Sequence, residues 1–463
     1  MQLPGKIPFA LLVFASLFAS GCGGSSGSGG SSTPPPPPST ANEWTWMSGS
    51  DIAFTPPSVG VYGTLGTPSA TNVPPARSGA VSWSDKGGSF WLFGGWGLND
   101  LWEYDPSAKT WTWQGGSSQP VNATGVYGTQ GVASATNVPG ARMLATSWTD
   151  KSGNFWLFGG LGFGDSNAYG HLNDLWEFNP STKMWTWISG SNAVGAQGVY
   201  GVQGTPSATN ALASREGAVG WTDGGGNLWL FGGDTLTGDS SGTEVFFNDL
   251  WEFSPASKTW TWMSGSSTTN SVGVYGTLGT ASASNVPGAR DGDAAWIDSS
   301  GNFWLFGGNY LNDLWEFNPT NMEWTWVSGS STAGALGVYG TQGVASVSNV
   351  PGWRGGSVSW TDTSGNFWLF GGQGQDPTGT NGGLNDLWKF NVSAKTWTWV
   401  SGANTVNAQG IYGTEGTAAA SNAPAGRASA VGCIDASGNL WLFGGESFNP
   451  AGSDYNDLWR YQP

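Results

Sequence analysis

Residues 365–372 read Gly-Asn-Phe-Trp-Leu-Phe-Gly-Gly, and this stretch is one of six near copies in the chain. Aromatic and branched apolar residues favour a pleated, half-buried strand, and a glycine pair lets the backbone turn sharply where that strand ends. Each copy therefore predicts a β-strand that runs into a tight turn. The glycine pairs are Gly94–Gly95, Gly159–Gly160, Gly232–Gly233, Gly307–Gly308, Gly371–Gly372 and Gly444–Gly445.

Further markers accompany every copy. An arginine precedes the first glycine of each pair by 17 residues, and an Asn-Asp-Leu-Trp segment follows the pair. A Trp-Thr-Trp segment then follows in the first five copies. Six copies in one register indicate a repeat protein. The arginines are Arg77, Arg142, Arg215, Arg290, Arg354 and Arg427, and the aspartates are Asp100, Asp174, Asp249, Asp313, Asp386 and Asp457.

This pattern resembles the kelch repeat, which has a glycine pair after its second strand and spaced aromatics in the third and fourth. The resemblance covers residues 43–463 and implies blades of four antiparallel strands, here named a (after the arginine), b (ending at the glycine pair), c (Asn-Asp-Leu-Trp) and d (Trp-Thr-Trp). The sixth repeat lacks strand d, and an extra Trp44-Thr45-Trp46 precedes the first. We therefore expect an all-β, six-bladed propeller whose ring is closed by this N-terminal strand as the outer strand of the last blade.

The N-terminus predicts export. Lys6 precedes a short apolar run at residues 7–18, and Ala19-Ser20-Gly21-Cys22 resembles the lipobox of bacterial lipoproteins, in which the cysteine is lipidated. An ordinary signal peptide cleaved near Gly21 is the alternative. Residues 22–42 are rich in Gly, Ser and Pro, as in a tether. We expect a signal peptide at 1–21, a tether at 22–42 and a propeller at 43–463. The protein would be a cell-envelope lipoprotein at the outer membrane or cell surface.

Only the b-to-c connection varies in length. From the first glycine of the pair to the aspartate, the spacing is 6, 15, 17, 6, 15 and 13 residues in successive repeats. A tyrosine in the d-to-a connection precedes the arginine by 15 residues every time. In antiparallel blades both connections leave from one face, the loop face, and length variation on one face of a repeat protein marks the binding face. The short loops of repeats one and four predict a groove between them.

Seven aromatic residues depart from the repeat register and are candidate ligand-binding residues on the loop face. Exposed aromatic rings suit sugars, peptides or aromatic ligands. The alternative is that they fold back and anchor their own loops. The candidates are Trp96, Trp353, Phe163, Tyr169, Phe246, Tyr310 and Phe448.

The six repeat arginines could form a positive ring at the channel mouth, as in kelch propellers whose arginines bind acidic peptides. We favour a structural role, in which each arginine pairs either with the aspartate of Asn-Asp-Leu-Trp or with a glutamate of strand c, of which the candidates are Glu103, Glu177, Glu252 and Glu316. The carboxylates of the b-to-c loops could hold Ca²⁺, but their spacing does not repeat, and solvated loop charge is the favoured interpretation. They are Asp165, Asp234, Asp239, Glu244, Asp376, Glu446 and Asp454. No metal or other cofactor is predicted.

Catalytic residues are not predicted either. The chain has one histidine, His171, which excludes a site with several imidazoles. Its net charge of −16 disfavours nucleic-acid partners. The leading hypothesis is a monomeric, non-enzymatic binding module, anchored to the membrane only by lipid, that recognises a glycan or a protein at the cell surface. One alternative is a carbohydrate-active enzyme of epimerase or lyase type using arginine and carboxylates, since some periplasmic kelch propellers are sialic-acid epimerases. The other is a structural surface protein without a specific ligand.

Overall fold

A computed structural model describes residues 41–55, 60–119, 122–237 and 242–463. The predicted signal peptide, Cys22 and all but the end of the predicted tether lie outside these ranges. The described residues form strands and turns without a helix. Accordingly, none of them belongs to a helix long and apolar enough to cross a membrane. The all-β class expected from the aromatic and glycine-rich composition is confirmed.

The described residues contain five four-stranded antiparallel sheets in the order a-b-c-d, and the sheet of repeat five has the same four strands with the short strand Arg354–Gly355 as a fifth member. The a strands are Val81–Ser84, Thr146–Thr149, Val219–Thr222, Ala294–Ile297, Val358–Thr361 and Val431–Ile434. The b strands are Phe90–Phe93, Phe155–Phe158, Leu228–Phe231, Phe303–Phe306, Phe367–Gln375 and Leu440–Phe443. The c strands are Leu101–Asp105, Leu175–Asn179, Leu250–Ser254, Leu314–Asn318, Asn381–Asn391 and Leu458–Gln462. The d strands are Thr110–Gly115, Met184–Ser189, Thr259–Ser264, Glu323–Ser328 and Thr396–Ser401.

Neighbouring sheets pack face to face through their aromatic residues. Trp83 of the first sheet stacks on Phe155 of the second, with ring centroids 5.2 Å apart and planes inclined by 8°. Trp221 on Phe303 repeats this geometry between the third and fourth sheets, with centroids 5.2 Å apart. All four residues of the first b strand are buried, because sheets cover both of its faces. Sheets of this kind, packed side by side, fit a β-propeller.

The N-terminal strand Glu43–Ser48 supplies the fourth strand of the last sheet. It pairs antiparallel with Leu458–Gln462, so that Trp44 lies opposite Tyr461. The last sheet also contacts the first one. The Ser82 hydroxyl donates to the Gly432 carbonyl at 3.0 Å.

The four long b-to-c connections contain additional strands, whereas the sequence analysis treated them as loops. Antiparallel ribbons form because they satisfy the backbone hydrogen-bonding groups of a long connection. In repeat five, strands b and c simply continue past the glycine pair. The other additional strands in these connections are Leu161–Phe163, Tyr169–His171, Asp234–Leu236, Glu244–Phe246, Glu446–Phe448 and Ala451–Asp454. Three two-residue strands that begin at a repeat arginine pair with them from outside the connections: Arg142–Met143, Arg354–Gly355 and Arg427–Ala428. The short connections of repeats one and four contain turns alone.

The described parts of the d-to-a connections form turns and isolated β-bridges. In the first one described, Val61 and Val73 form an isolated antiparallel bridge. The Asn72 amide donates to the Trp111 carbonyl at 2.9 Å, which ties the connection to strand d of repeat one. The same asparagine contact recurs in every repeat, for example from Asn349 to the Trp397 carbonyl at 3.1 Å. These contacts fix each connection against a strand d.

Candidate ligand-binding site on the loop face

The second residue after each repeat arginine belongs to a cycle of backbone hydrogen bonds. Each N–H donates to the carbonyl of the preceding repeat at 2.7–2.9 Å, and the first donates to the last. All six residues have a positive φ of 53–67°, a conformation in which glycine is the unstrained choice. The cycle consists of Gly79, Leu144, Gly217, Gly292, Gly356 and Ser429. We call this cycle of hydrogen bonds the centre.

Two adjoining cavities lie over this centre. One of about 400 Å³ borders the short loop of repeat one, and the other of about 320 Å³ borders the short loop of repeat four. They share Leu144, Ser429 and Glu446, so that together they extend from one short loop towards the other. We call the residues that line these two cavities the mouth. Its polar and aromatic members include Ser78, Trp96, Asp454, Glu244, Phe246, Asp291, Asn309, Tyr310, Trp353, Gln373 and Glu446.

Two of the predicted aromatic residues are exposed at the mouth and one supports them from below. Trp96 is 56% exposed in the first cavity, and Tyr310 is 59% exposed in the second. Trp353 is only 6% exposed, because Tyr310 covers it with ring centroids 4.8 Å apart. The expectation that Trp353 offers an exposed platform is therefore wrong. Its ring supports Tyr310 instead.

The other four aromatic candidates divide between exposed and anchoring positions. Tyr169 is exposed and packs on the buried Phe163 at 5.2 Å, and both line a neighbouring cavity of about 300 Å³ with Trp96. Phe246 is half-buried and lines the second cavity. Phe448 is half-buried against Gly383 of repeat five and lines neither cavity of the mouth. Phe163 and Phe448 thus anchor their own loops, as the alternative interpretation proposed.

The six repeat arginines lie in buried ion pairs below the mouth. The Arg354 Nη1 and Nη2 atoms donate to the two Asp386 carboxylate oxygens, each at 2.8 Å. Arg77, Arg142, Arg215, Arg290 and Arg427 make the same bidentate contact with the aspartates of their repeats. Their guanidiniums are consequently unavailable as a ligand-binding ring at the channel mouth.

Each of these aspartates accepts two more hydrogen bonds. The Asp386 Oδ2 atom accepts the Tyr339 hydroxyl and, at 2.7 Å, the Trp388 Nε1–H. Burial raises the pKa of Tyr339, which stays a neutral donor. The same tyrosine and tryptophan contacts recur in the other five repeats. The arginine of this four-residue cluster also donates to the carbonyl of the first glycine of the pair, as from Arg354 Nη1 to Gly371 at 3.0 Å. These contacts explain why the spacings from tyrosine to arginine and from arginine to the glycine pair are constant.

No free lysine or arginine faces the mouth in the described residues. Strand c carries Lys389 and Arg460. The a-to-b hairpins carry Lys86 and Lys151, on the face opposite the mouth. The c-to-d hairpins, on that same opposite face, carry Lys109, Lys183, Lys258 and Lys395.

Carboxyl groups, in contrast, converge on the mouth. Glu244, Asp291, Glu446 and Asp454 line it. Burial, followed by the charge of Glu244, raises the pKa of Asp291 to about 6. Burial also raises the pKa of Asp454 to about 6. Without a basic partner, these groups make the mouth acidic.

The expectation of solvated charge in the b-to-c loops is wrong for three of the seven carboxylates. Asp234, Asp376 and Asp454 are buried. Burial, followed by the charge of Glu216, raises the pKa of Asp234 to about 9. Asp239 lies outside the described residues. Folding of the long connections into ribbons is what buries these side chains.

One histidine and two carboxylates meet between repeats two and three, beside the mouth. His171 Nε2 lies 3.5 Å from Glu216 Oε1 and 3.8 Å from Asp234 Oδ2. His171 ends the strand Tyr169–His171, and Asp234 begins the strand Asp234–Leu236. Among the described residues, this is the group whose ligand atoms lie close enough together to hold a metal ion.

Three acidic residues near the centre escaped the sequence analysis. Glu216 and Asp291 directly follow a repeat arginine, and Asp293 stands three residues after Arg290, where four sister repeats have alanine. Both Asp293 carboxylate oxygens are buried without a hydrogen-bond partner among the described residues. The sequence could have indicated these residues, because each is acidic at a repeat position where most of the other repeats have a neutral residue.

Comparison with known proteins bears on the fold. No protein-family model matches the chain, and no curated protein matches it significantly. The solved structure of YjhT superposes with a TM-score of 0.52 at 16% sequence identity, and the match covers 83% of this chain and 95% of that one. At this identity the similarity concerns the fold alone. Together with the four-stranded antiparallel sheets, it identifies the chain as a β-propeller.

Proposed function

We propose that this chain is a lipid-tethered binding module of the kelch type whose mouth recognises a neutral or amino-bearing glycan at the cell surface. One observation carries the proposal. Exposed aromatic rings and carboxyl groups surround the two adjoining cavities, while every described repeat arginine is engaged in a buried ion pair. The kelch assignment itself rests on the glycine pairs and aromatic spacing of the six repeats.

The architecture that we propose is a closed ring of six blades. The cycle of backbone hydrogen bonds supports it, because the bond from Gly79 to Ser429 joins the first repeat to the last at 2.8 Å. Pairing of Glu43–Ser48 with the last sheet supports closure by the N-terminal strand. Closure would remove the open sheet edges that a linear array of blades would leave.

The chemistry of the mouth fits a sugar better than an acidic ligand. Aromatic rings such as Trp96 and Tyr310 pack on the apolar faces of sugar rings, and carboxylates accept hydrogen bonds from hydroxyl or ammonium groups. The cavities of about 400 and 320 Å³ lie within the range of small-ligand sites. An acidic sugar would face Glu446 and Asp454 without a compensating cation.

In this arrangement the arginines proposed for the enzymatic alternative are held in ion pairs and cannot contact a substrate. An epimerase or lyase that used them would first have to break a bidentate contact such as that between Arg354 and Asp386, both buried. Removing one partner from a buried ion pair costs about 3–5 kcal/mol, a cost that each catalytic cycle would have to meet. Binding is therefore the function that the mouth supports best.

Loss of the two exposed rings is expected to weaken glycan binding. The double variant Trp96→Ala with Tyr310→Ala should bind at least about tenfold more weakly, since fully burying one large apolar side chain is worth roughly 1.5–3 kcal/mol. Glycan arrays and calorimetry would compare chitin oligomers, their deacetylated amino forms and oligogalacturonate. Val347→Ala, at an exposed residue that lines neither cavity, is the control. Equal binding of the acidic oligomer, or no glycan binding by the wild type, would contradict the proposal.

The lipid anchor is tested separately at Cys22. Cys22→Ser is expected to eliminate incorporation of labelled fatty acid and to release the protein from the membrane fraction, since the thiol is the proposed acylation site. Cys433→Ser is the control, because Cys433 lies in the last a strand and its pKa is raised to about 11 by burial. An unlabelled wild-type protein with its mature N-terminus near Gly21 would instead indicate an ordinary signal peptide.

A further inference from the structure

We propose that His171, Glu216 and Asp234 form a binding site for one divalent transition-metal ion of the Zn²⁺ type, between repeats two and three. The site lies beside the mouth and does not depend on glycan binding. It would join the ribbon of repeat two to that of repeat three.

The geometry suits a single ion. The three ligand atoms all lie within 4.8 Å of one another. Zinc bonds of about 2.0–2.2 Å place neighbouring ligand atoms roughly 3–4 Å apart. The separations from His171 Nε2 of 3.5 Å to Glu216 Oε1 and 3.8 Å to Asp234 Oδ2 fall in that range. Both exceed a normal N–H···O hydrogen bond, so the imidazole does not simply donate to a carboxylate.

A second observation points to a missing ligand. His171 is 6% exposed, and its Nε2 atom is buried without a hydrogen-bond partner among the described residues. The Glu216 Oε2 atom is likewise buried without one. An unsatisfied buried polar atom costs free energy, and here two such atoms belong to neighbouring side chains of one cluster. Coordination of a cation by Nε2 would remove that cost.

The surrounding charge also calls for a cation. Asp234 and Asp291 both lie against Gly217, the residue that follows Glu216, so that three carboxyl groups gather at this point. Arg215 precedes Glu216 in the chain, but its guanidinium is bound to Asp249 at 2.7 Å. A divalent ion would supply the missing positive charge. An imidazole in the ligand set favours zinc-type ions over Ca²⁺, which prefers oxygen ligands.

The backbone preorganises the two carboxylates. Asp234 N–H donates to the Glu216 carbonyl at 3.0 Å, and the two residues form an antiparallel bridge. The His171 carbonyl accepts the Gly195 N–H at 2.9 Å, which fixes the end of its strand. Repeat three is the only repeat with acids both directly after its arginine and directly after its glycine pair. We therefore expect one ion per chain.

The test uses the full chain without a histidine-containing tag, stripped with a chelator and titrated calorimetrically with Zn²⁺, Mn²⁺ and Ca²⁺. We expect one Zn²⁺ per chain, bound more tightly than Mn²⁺ or Ca²⁺. His171→Gln and Glu216→Gln should each weaken Zn²⁺ binding by at least about tenfold. Asp165→Asn removes an exposed carboxylate from the same connection as His171 and should leave affinity unchanged.

Two further measurements keep the outcome decisive. Zn²⁺ should raise the thermal midpoint of the wild type but not of His171→Gln, whose circular dichroism spectrum without metal reports whether it folds. If His171→Gln does not fold, Glu216→Gln takes its place. The visible absorption spectrum of Co²⁺ bound to Glu216→Gln is then expected to differ from that of Co²⁺ bound to the wild type. Absence of stoichiometric Zn²⁺ binding, or equal affinity in folded His171→Gln, would overturn the proposal. An equal loss of Zn²⁺ affinity in Asp165→Asn would also contradict the proposal, because it would show that surface carboxylates bind the ion nonspecifically.

Discussion

Replacing Asp386 with alanine is expected to lower the free energy of unfolding by about 3–5 kcal/mol, because the change leaves a charged guanidinium buried without its partner. Arg354 and Asp386 are fully buried and joined by two hydrogen bonds of 2.8 Å. The Tyr339 hydroxyl and the Trp388 Nε1–H would lose their acceptor at the same time. The cluster joins the d-to-a connection, strand c and the glycine pair, so the loss should destabilise the whole repeat.

Asp293→Ala is the matched control, since it removes an equally buried carboxyl group. It is expected to raise the free energy of unfolding, whereas Asp386→Ala lowers it. The Asp293 oxygens have no hydrogen-bond partner among the described residues, and alanine occupies this position in repeats one, two, three and six. Denaturant unfolding of both variants would compare the two effects. A loss below about 1 kcal/mol in Asp386→Ala would contradict the assigned role of the ion pair.

The gain from Asp293→Ala should depend on pH. Burial raises the pKa of Asp293 well above its usual range, so that the folded state holds this proton more tightly than the unfolded state does. The wild type therefore loses stability as pH rises above the unfolded value of about 3.9 towards the folded pKa. The advantage of Asp293→Ala should be larger at pH 7 than at pH 3.5. An advantage that does not change with pH would show that folding does not raise the pKa of Asp293.

Trp44→Ala is expected to lower the free energy of unfolding by about 3–5 kcal/mol, the usual range for truncation of a buried tryptophan. Trp44 is buried and lies 5.4 Å from the Phe370 ring and 5.1 Å from the Tyr461 ring. Its carbonyl accepts the Asn422 amide at 3.1 Å. Trp44 lies in Glu43–Ser48, the N-terminal strand that pairs with the last sheet. Removing the Trp44 side chain should therefore also detach this strand from the sheet.

Limited proteolysis distinguishes a general loss of core packing from detachment of the N-terminal strand from the last sheet. Trp111→Ala removes the corresponding buried tryptophan from strand d of repeat one and is the control. We expect cleavage next to residues 43–48 to accelerate in Trp44→Ala and not in Trp111→Ala. Equal cleavage of the N-terminal strand in both variants would contradict closure by that strand.

Much of the fold was predictable because its determinants repeat. The Arg77 guanidinium donates to the Gly94 carbonyl at 2.8 Å and shares Asp100 with the Tyr62 hydroxyl. The separations from tyrosine to arginine and from arginine to the glycine pair are constant in the sequence, whereas the separation from arginine to aspartate varies with the b-to-c connection. The same constancy distinguished the ordered d-to-a connections from the variable ones. Folding of the long b-to-c connections into ribbons was not predictable, since it depends on pairing between segments whose length and composition differ in every repeat.

The site was predictable only in part. Trp96 and Tyr310 were found because they depart from the register of the core aromatics. Whether Trp353 or Tyr310 would be exposed depends on which ring covers the other, and no periodicity encodes that choice. Glu216 and Asp291 were missed because each stands beside an arginine in register. Their proximity becomes evident only when the repeats meet around the central hydrogen-bond cycle.

The most direct test of the binding mouth is a crystal structure of the protein soaked with a mixture of neutral, amino-bearing and acidic oligosaccharides. We predict electron density for a neutral or amino sugar over the central hydrogen-bond cycle, against Trp96 or Tyr310 and within hydrogen-bonding distance of Glu446. Density for an acidic sugar there, or sugar bound only at the hairpins of the opposite face, would contradict the proposed function.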